Sequence, residues 1–211
     1  MLLFLVFLIP LLLTLYYFFS EKRNFILVTT IGLVTSILVC IVRLFVFYSH
    51  RLIIDSFFQN YFFYLLRLAI IPIGLLYGVF FLLTRDTVEY KLKAFFPLVA
   101  SFFTVYLPYY IISASGPTYS GYDCFLRPAL YAAMIVQLSY SINNLYKFVV
   151  EKDQKGIIIS SVIAAVYLLF PAAVDSSYMI GRGFGFAVIL SIVFIAYPVF
   201  NSVLKFLKKD E

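Results

Sequence analysis

The stretch FFQNYFFYLLRLAIIPIGLLYGVFFLL, from Phe57 to Leu83, decides the fold class. It is apolar all round and holds one charge, Arg67. About 20 helical residues cross the hydrocarbon of a bilayer, and this run exceeds that length. Helix is the state to expect, because an isolated strand would leave its backbone unpaired in lipid. Pro72 is no objection, since neighbouring helices can satisfy the carbonyl it frees and a kink absorbs the ring.

Six more segments have the same character: 2–19, 25–48, 94–113, 127–149, 156–174 and 184–204. The period-two alternation of a membrane barrel is absent from them. The expectation is an all-α, polytopic integral membrane protein of about seven helices, forming a single transmembrane domain over residues 1–211. Composition agrees. The chain is 64% apolar and 12% charged, against roughly half and about a quarter for a soluble domain. Segment 2–19 starts without basic residues and is followed by no small-x-small cleavage site, so it reads as a retained helix rather than a signal peptide.

Of nine lysines, eight (22, 91, 93, 152, 155, 205, 208 and 209) lie in the connectors 20–24, 84–93 and 150–155 or in the tail from residue 205, and Lys147 lies at the end of the segment 127–149. By the positive-inside bias these ends face the cytoplasm, which puts the N-terminus outside and the C-terminus inside. The expected location is a bacterial or archaeal cytoplasmic membrane, with anionic lipid headgroups as partners of the lysines. The net charge of +6 is spread over connectors rather than gathered on one patch, which argues against nucleic acid.

Five of the seven arginines go to the other end: Arg43, Arg51, Arg67, Arg127 and Arg182. Measured along a helix, Arg67 lies roughly 27 Å from Arg85, and Arg43, Arg127 and Asp175 lie roughly 30 Å from Arg23, Lys147 and Lys155. Four helices therefore carry a charge at one depth, the outer edge of the hydrocarbon, with His50, Asp55 and Asp123 in adjoining loops. Guanidinium holds its proton when partly desolvated, grips carboxylates and phosphates with a rigid fork, and stacks on aromatic rings. Tyr61, Tyr64, Tyr106, Tyr109, Tyr110 and Tyr131 are close enough in sequence to line the layer. The candidate site is accordingly Arg43, Arg67, Arg127, Arg182, Asp175, Tyr64 and Tyr110. The bland alternative is that these arginines snorkel, or pair helices through Asp175 and Asp55.

Other chemistry is thinly represented. One His makes no ordinary zinc site, and no metal or cofactor is expected. Phosphate-binding glycine loops and hydrolase elbows are missing. Two cysteines are too few for a disulfide scaffold, and Cys40 lies in an apolar run while Cys124 lies in a connector. No Asp, Glu or Lys falls at mid-membrane depth, which argues against a carboxylate proton relay. Polar residues within the runs, Gln137 and Ser160 among them, read as helix-helix hydrogen bonding. A faint repeat joins Val105-Tyr-Leu-Pro108 to Val166-Tyr-Leu-Leu-Phe-Pro171, and Asn143-Lys147-Phe148 to Asn201-Lys205-Phe206, as if 94–149 and 156–204 were related hairpins.

Cys124-Phe-Leu-Arg127, with Arg182 and Asp175 across the next hairpin, resembles the layout of membrane-embedded transpeptidases of the exosortase type. That resemblance implies a Cys124 nucleophile assisted by Arg127 and Arg182. The family's Cys-Ser-Gly and its later Asn-x-x-Arg are not in this chain. Crossing number and outer arginines also resemble lipid transferases acting on prolipoproteins, without their glycine-rich signature. Three functions follow as expectations. The first is an outward Arg- and Tyr-rich cleft that binds, and can transport, an anionic small molecule or lipid headgroup. The second is an outer-leaflet enzyme. The third is a structural subunit with a membrane or cytoplasmic partner.

Overall fold

In the computed structural model, the residues described are 26–46, 56–115 and 120–207. They form six helical rods: α1 (Ile26–Val46), α2 (Phe57–Leu83), α3 (Val88–Ser115), α4 (Arg127–Glu151, entered through a π-helical turn Tyr122–Leu126), α5 (Gln154–Ile180) and α6 (Phe184–Leu207). Five of them, all but α4, are long and apolar enough to cross a membrane. Segment 2–19 lies outside the described residues.

The position of α4 accounts for its more polar composition. It packs against α3, α5 and α6 together. Most of its first half is buried, including Leu130, Tyr131, Met134, Ile135 and Gln137. A helix wrapped by protein has little surface to offer lipid, so polar side chains cost it less than they would α1 or α6. α3 is the other central rod, with Phe95, Leu98, Val99, Phe103, Leu107 and Ile111 in the core.

Several ends run past the apolar segments. α3 begins ahead of residue 94 at Val88, where Lys93 pairs with Glu89 at 2.8 Å. α5 continues beyond Asp175 to Ile180, because Asp175 is neutralised inside the bundle rather than by leaving it. The tight α4–α5 connection is made by Lys152 at φ 59 and Asp153, whose carboxylate accepts from the Lys155 and Gly156 amides. Gly156 sits where a Cβ would be 2.6 Å from the Phe148 ring. At the end of α2, Lys91 Nζ donates to the Phe81 carbonyl at 2.8 Å, capping the helix as a basic residue near a C-terminus should.

Tyrosines supply the hydrogen bonds that prolines remove. Pro198 cannot donate to the Phe194 carbonyl, and Tyr167 Oη donates to it instead at 2.9 Å while stacking on the Phe194 ring. In α2 the stretch Leu65–Ile70 is π-helical, and Ile71 N–H bonds Leu66 O five residues back. The next donor in that register would be Pro72, so the Arg67 carbonyl is left over. Tyr106 Oη of α3 donates to it at 3.0 Å. The second π turn, with Arg127 N–H on Tyr122 O, also ends against a proline, Pro128. These two prolines therefore fix the backbone at Arg67 and Arg127, both charged residues of the candidate layer.

Candidate functional site

The charged layer exists as a connected region of the bundle and divides into two unlike parts. The first is a sealed ion cluster. Arg127 at the mouth of α4 donates from Nε to Asp175 Oδ1 of α5 at 2.7 Å and from Nη1 to Asp123 Oδ1 at 3.2 Å. Asp175, fully buried, also accepts from Tyr122 Oη and, at 2.9 Å, from Tyr131 Oη. Asp123 is held by the Ser120 amide and by the Ser120 hydroxyl at 2.8 Å, with the Tyr178 hydroxyl bridging to that serine. The rings of Tyr64 and Tyr122 lie over the Arg127 guanidinium at 5.7 and 5.2 Å. Every charged member has partners, as buried charges require. Two carboxylates meet one guanidinium, so the cluster carries a formal −1.

The second part is open-ended. Arg43 of α1 lies 4.8 Å from the Tyr110 ring centre and 5.6 Å from that of Tyr109. Arg67 of α2 lies 5.4 Å from the same Tyr110 ring and 5.0 Å from Phe63. The two like charges are near enough to repel each other, and the Tyr106 hydroxyl lies beside both. Among the described residues no carboxylate reaches either guanidinium within ion-pair distance. Arg43 Nη1 is buried with no hydrogen-bond partner there. Arg43 and Arg67 themselves are half-buried. A buried donor without an acceptor is costly, of order 1–3 kcal/mol and more for a charged group.

The structure brings together six of the seven site residues expected from sequence. Arg43, Arg67 and Tyr110 form the cationic part, Arg127 and Asp175 the sealed part, and Tyr64 lies between. Arg182 stands apart, exposed in the turn between Gly181 (φ 71) and Gly183 (φ 68). Cys124 is fully buried and unpaired, as is Cys40 nearly so. Burial, then the neighbouring Asp123 carboxylate, pushes the Cys124 thiol up in its turn outside the apolar run, the reverse of what an activated nucleophile needs. His50, Arg51 and Asp55 lie outside the described residues. Ser120 and Tyr178 were not foreseen. The Ser120-x-x-Asp123 spacing is a local turn signal that points to the former, whereas Tyr178 arrives from α5 and leaves no local trace.

Among the described residues no His/Cys/Asp/Glu group could hold a metal ion. The fold and this layer define a polytopic helical membrane protein with buried polar and aromatic networks. Neither a family model, nor a curated protein, nor a solved structure matches the chain.

Proposed function

We propose that this membrane protein binds an anion, a small molecule or a lipid headgroup, at the arginine end of its bundle. Arg43 and Arg67 are the ligands, Tyr110 is the ring they share, and Tyr64 joins them to the cluster behind. The unpartnered Arg43 Nη1 carries this reading. In a low-dielectric setting two guanidinium groups on facing helices repel, and an anion between them removes the repulsion and fills the open donor. The lysine ends at the opposite side of the bundle support an outward-facing site. Arg127 and Asp175 act differently from the pair. They hold the mouth of α4 to α5 and set the position of Tyr64.

The test is anion-dependent thermal stabilisation of purified protein in neutral detergent. Wild type should gain stability with multivalent anions, Arg43→Gln and Arg67→Gln should lose the gain, and Arg182→Gln should keep it. Equal responses from all three variants would end the proposal.

A further inference from the structure

The geometry points to a phosphate carrying two negative charges, borne on a lipid, as the ligand of the Arg43–Arg67 pair. This inference rests on the anion-binding reading above and narrows it. Charge is the first argument. The described residues at the pair contribute two cations and no carboxylate within ion-pair reach. The extra negative charge of the sealed cluster is already met by donors from Ser120, Tyr122 and Tyr131. At the pair itself a carboxylate or a phosphodiester therefore supplies one charge for two guanidinium groups, whereas a phosphate monoester supplies two. Guanidinium also matches phosphate oxygens in its donor geometry.

Position is the second argument. The two arginines come from α1 and α2. At the other end of the bundle these helices share an apolar cluster with α3, in which Val28 lies with Phe80, Leu76 and Tyr77. At the arginine end they meet across Tyr110 through their charged side chains. Beside Arg43 the outer face shows Val39 and Val42, and beside Arg67 it shows Phe62, Leu66 and Ile70, all exposed. A ligand reaching the pair from that side passes between apolar, lipid-facing side chains. An amphiphile fits this route: its phosphate lies at the level of the guanidinium groups, and its hydrocarbon chains lie along α1 and α2.

The π-helical segment supplies the third argument. It presents Arg67 with its own carbonyl held by Tyr106 of α3, so the backbone that carries the arginine is fixed before any ligand arrives. Rigid donors lose less freedom on binding than mobile ones.

Nanodiscs of phosphatidylcholine doped with phosphatidic acid, a monoester, or with phosphatidylglycerol, a diester, at equal mole fraction provide the experiment. Binding is read by native mass spectrometry and thermal unfolding, and inorganic pyrophosphate is added to undoped discs as the soluble arm. We expect phosphatidic acid to bind about tenfold more tightly than phosphatidylglycerol, the ratio that one charge-assisted contact gives. Arg43→Gln and Arg67→Gln should each erase the preference. If either fails to fold, Arg43→Lys, which keeps the charge and loses the fork, should weaken it. Equal binding of both lipids, removed by the same variants, would overturn the two-charge inference and leave the anion site standing. Pyrophosphate matching phosphatidic acid would overturn the lipid part. No response to any of the three would remove the anion site itself.

Discussion

Arg127 Nε donates to Asp175 Oδ1 at 2.7 Å across the α4–α5 contact, with both side chains closed to their surroundings. Each end is tied again, Arg127 to Asp123 and Asp175 to Tyr122 and Tyr131. Two residues far apart in sequence thus tie the start of α4 to α5. The same arrangement makes Arg127 unlike Arg43 and Arg67, whose charges meet no carboxylate among the described residues.

Arg127→Met should be severely destabilising. It leaves two buried carboxylates, Asp123 and Asp175, without a cation. Breaking a buried pair from one side costs about 3–5 kcal/mol. The double variant Arg127→Met with Asp175→Leu should lose less than the two single losses added. Thermal unfolding of wild type, Arg127→Met, Asp175→Leu and the double variant in one detergent checks this, and additive losses would show that the pair is not a unit.

Tyr106→Phe should cost about 1 kcal/mol, the value of one hydrogen bond, because the Arg67 carbonyl freed by Pro72 loses its donor. It should also weaken anion binding, since Arg67 is no longer held from α3. Tyr167→Phe removes the equivalent bond at Phe194 and should destabilise similarly with binding unchanged. Comparing unfolding and binding for both variants separates the two effects.

Gly32→Leu should disrupt the α1–α3 crossing. A Cβ at Gly32 would lie 2.5 Å from the Leu98 carbonyl oxygen and closer still to the Ser101 hydroxyl. Overpacking of this kind costs about 1–3 kcal/mol. Gly74→Ala is the control, because a Cβ there meets nothing within 4 Å. Detergent-stable yield and unfolding temperature should fall for the first and hold for the second.

Neither cysteine should react with a maleimide in the folded protein, because Cys124 is fully buried and Cys40 nearly so. Both should label after unfolding in SDS. Rapid labelling of Cys124 in the native state would reopen the transpeptidase-like reading that its Cys124-x-x-Arg127 spacing suggested.

Much of the fold was legible along the chain. The run from Phe57 to Leu83 is the helix of the same bounds. Counting 1.5 Å per residue placed Arg43, Arg67, Arg127 and Asp175 at one level; in the bundle Arg43 and Arg67 share the Tyr110 ring, and Arg127 pairs with Asp175. The π turns before Pro72 and Pro128 were not legible. A proline signals a broken hydrogen bond without saying whether the helix kinks, widens, or borrows a donor from a neighbour. Nor was the surrounded position of α4, whose Gln137 and Ser141 hint only that something polar or proteinaceous lies alongside.

Along the chain alone one reads the apolar helical segments and the position of each charge along its own helix, because hydropathy and the helical rise are properties of one segment. Which arginine meets a carboxylate is set by how the helices pack. In a water-soluble helix an apolar stripe marks the inward face. In lipid the outer face is as apolar as the core, so rotation about the helix axis is nearly invisible in the sequence. That rotation turns Arg127 onto Asp175 and turns Arg43 and Arg67 onto one tyrosine ring.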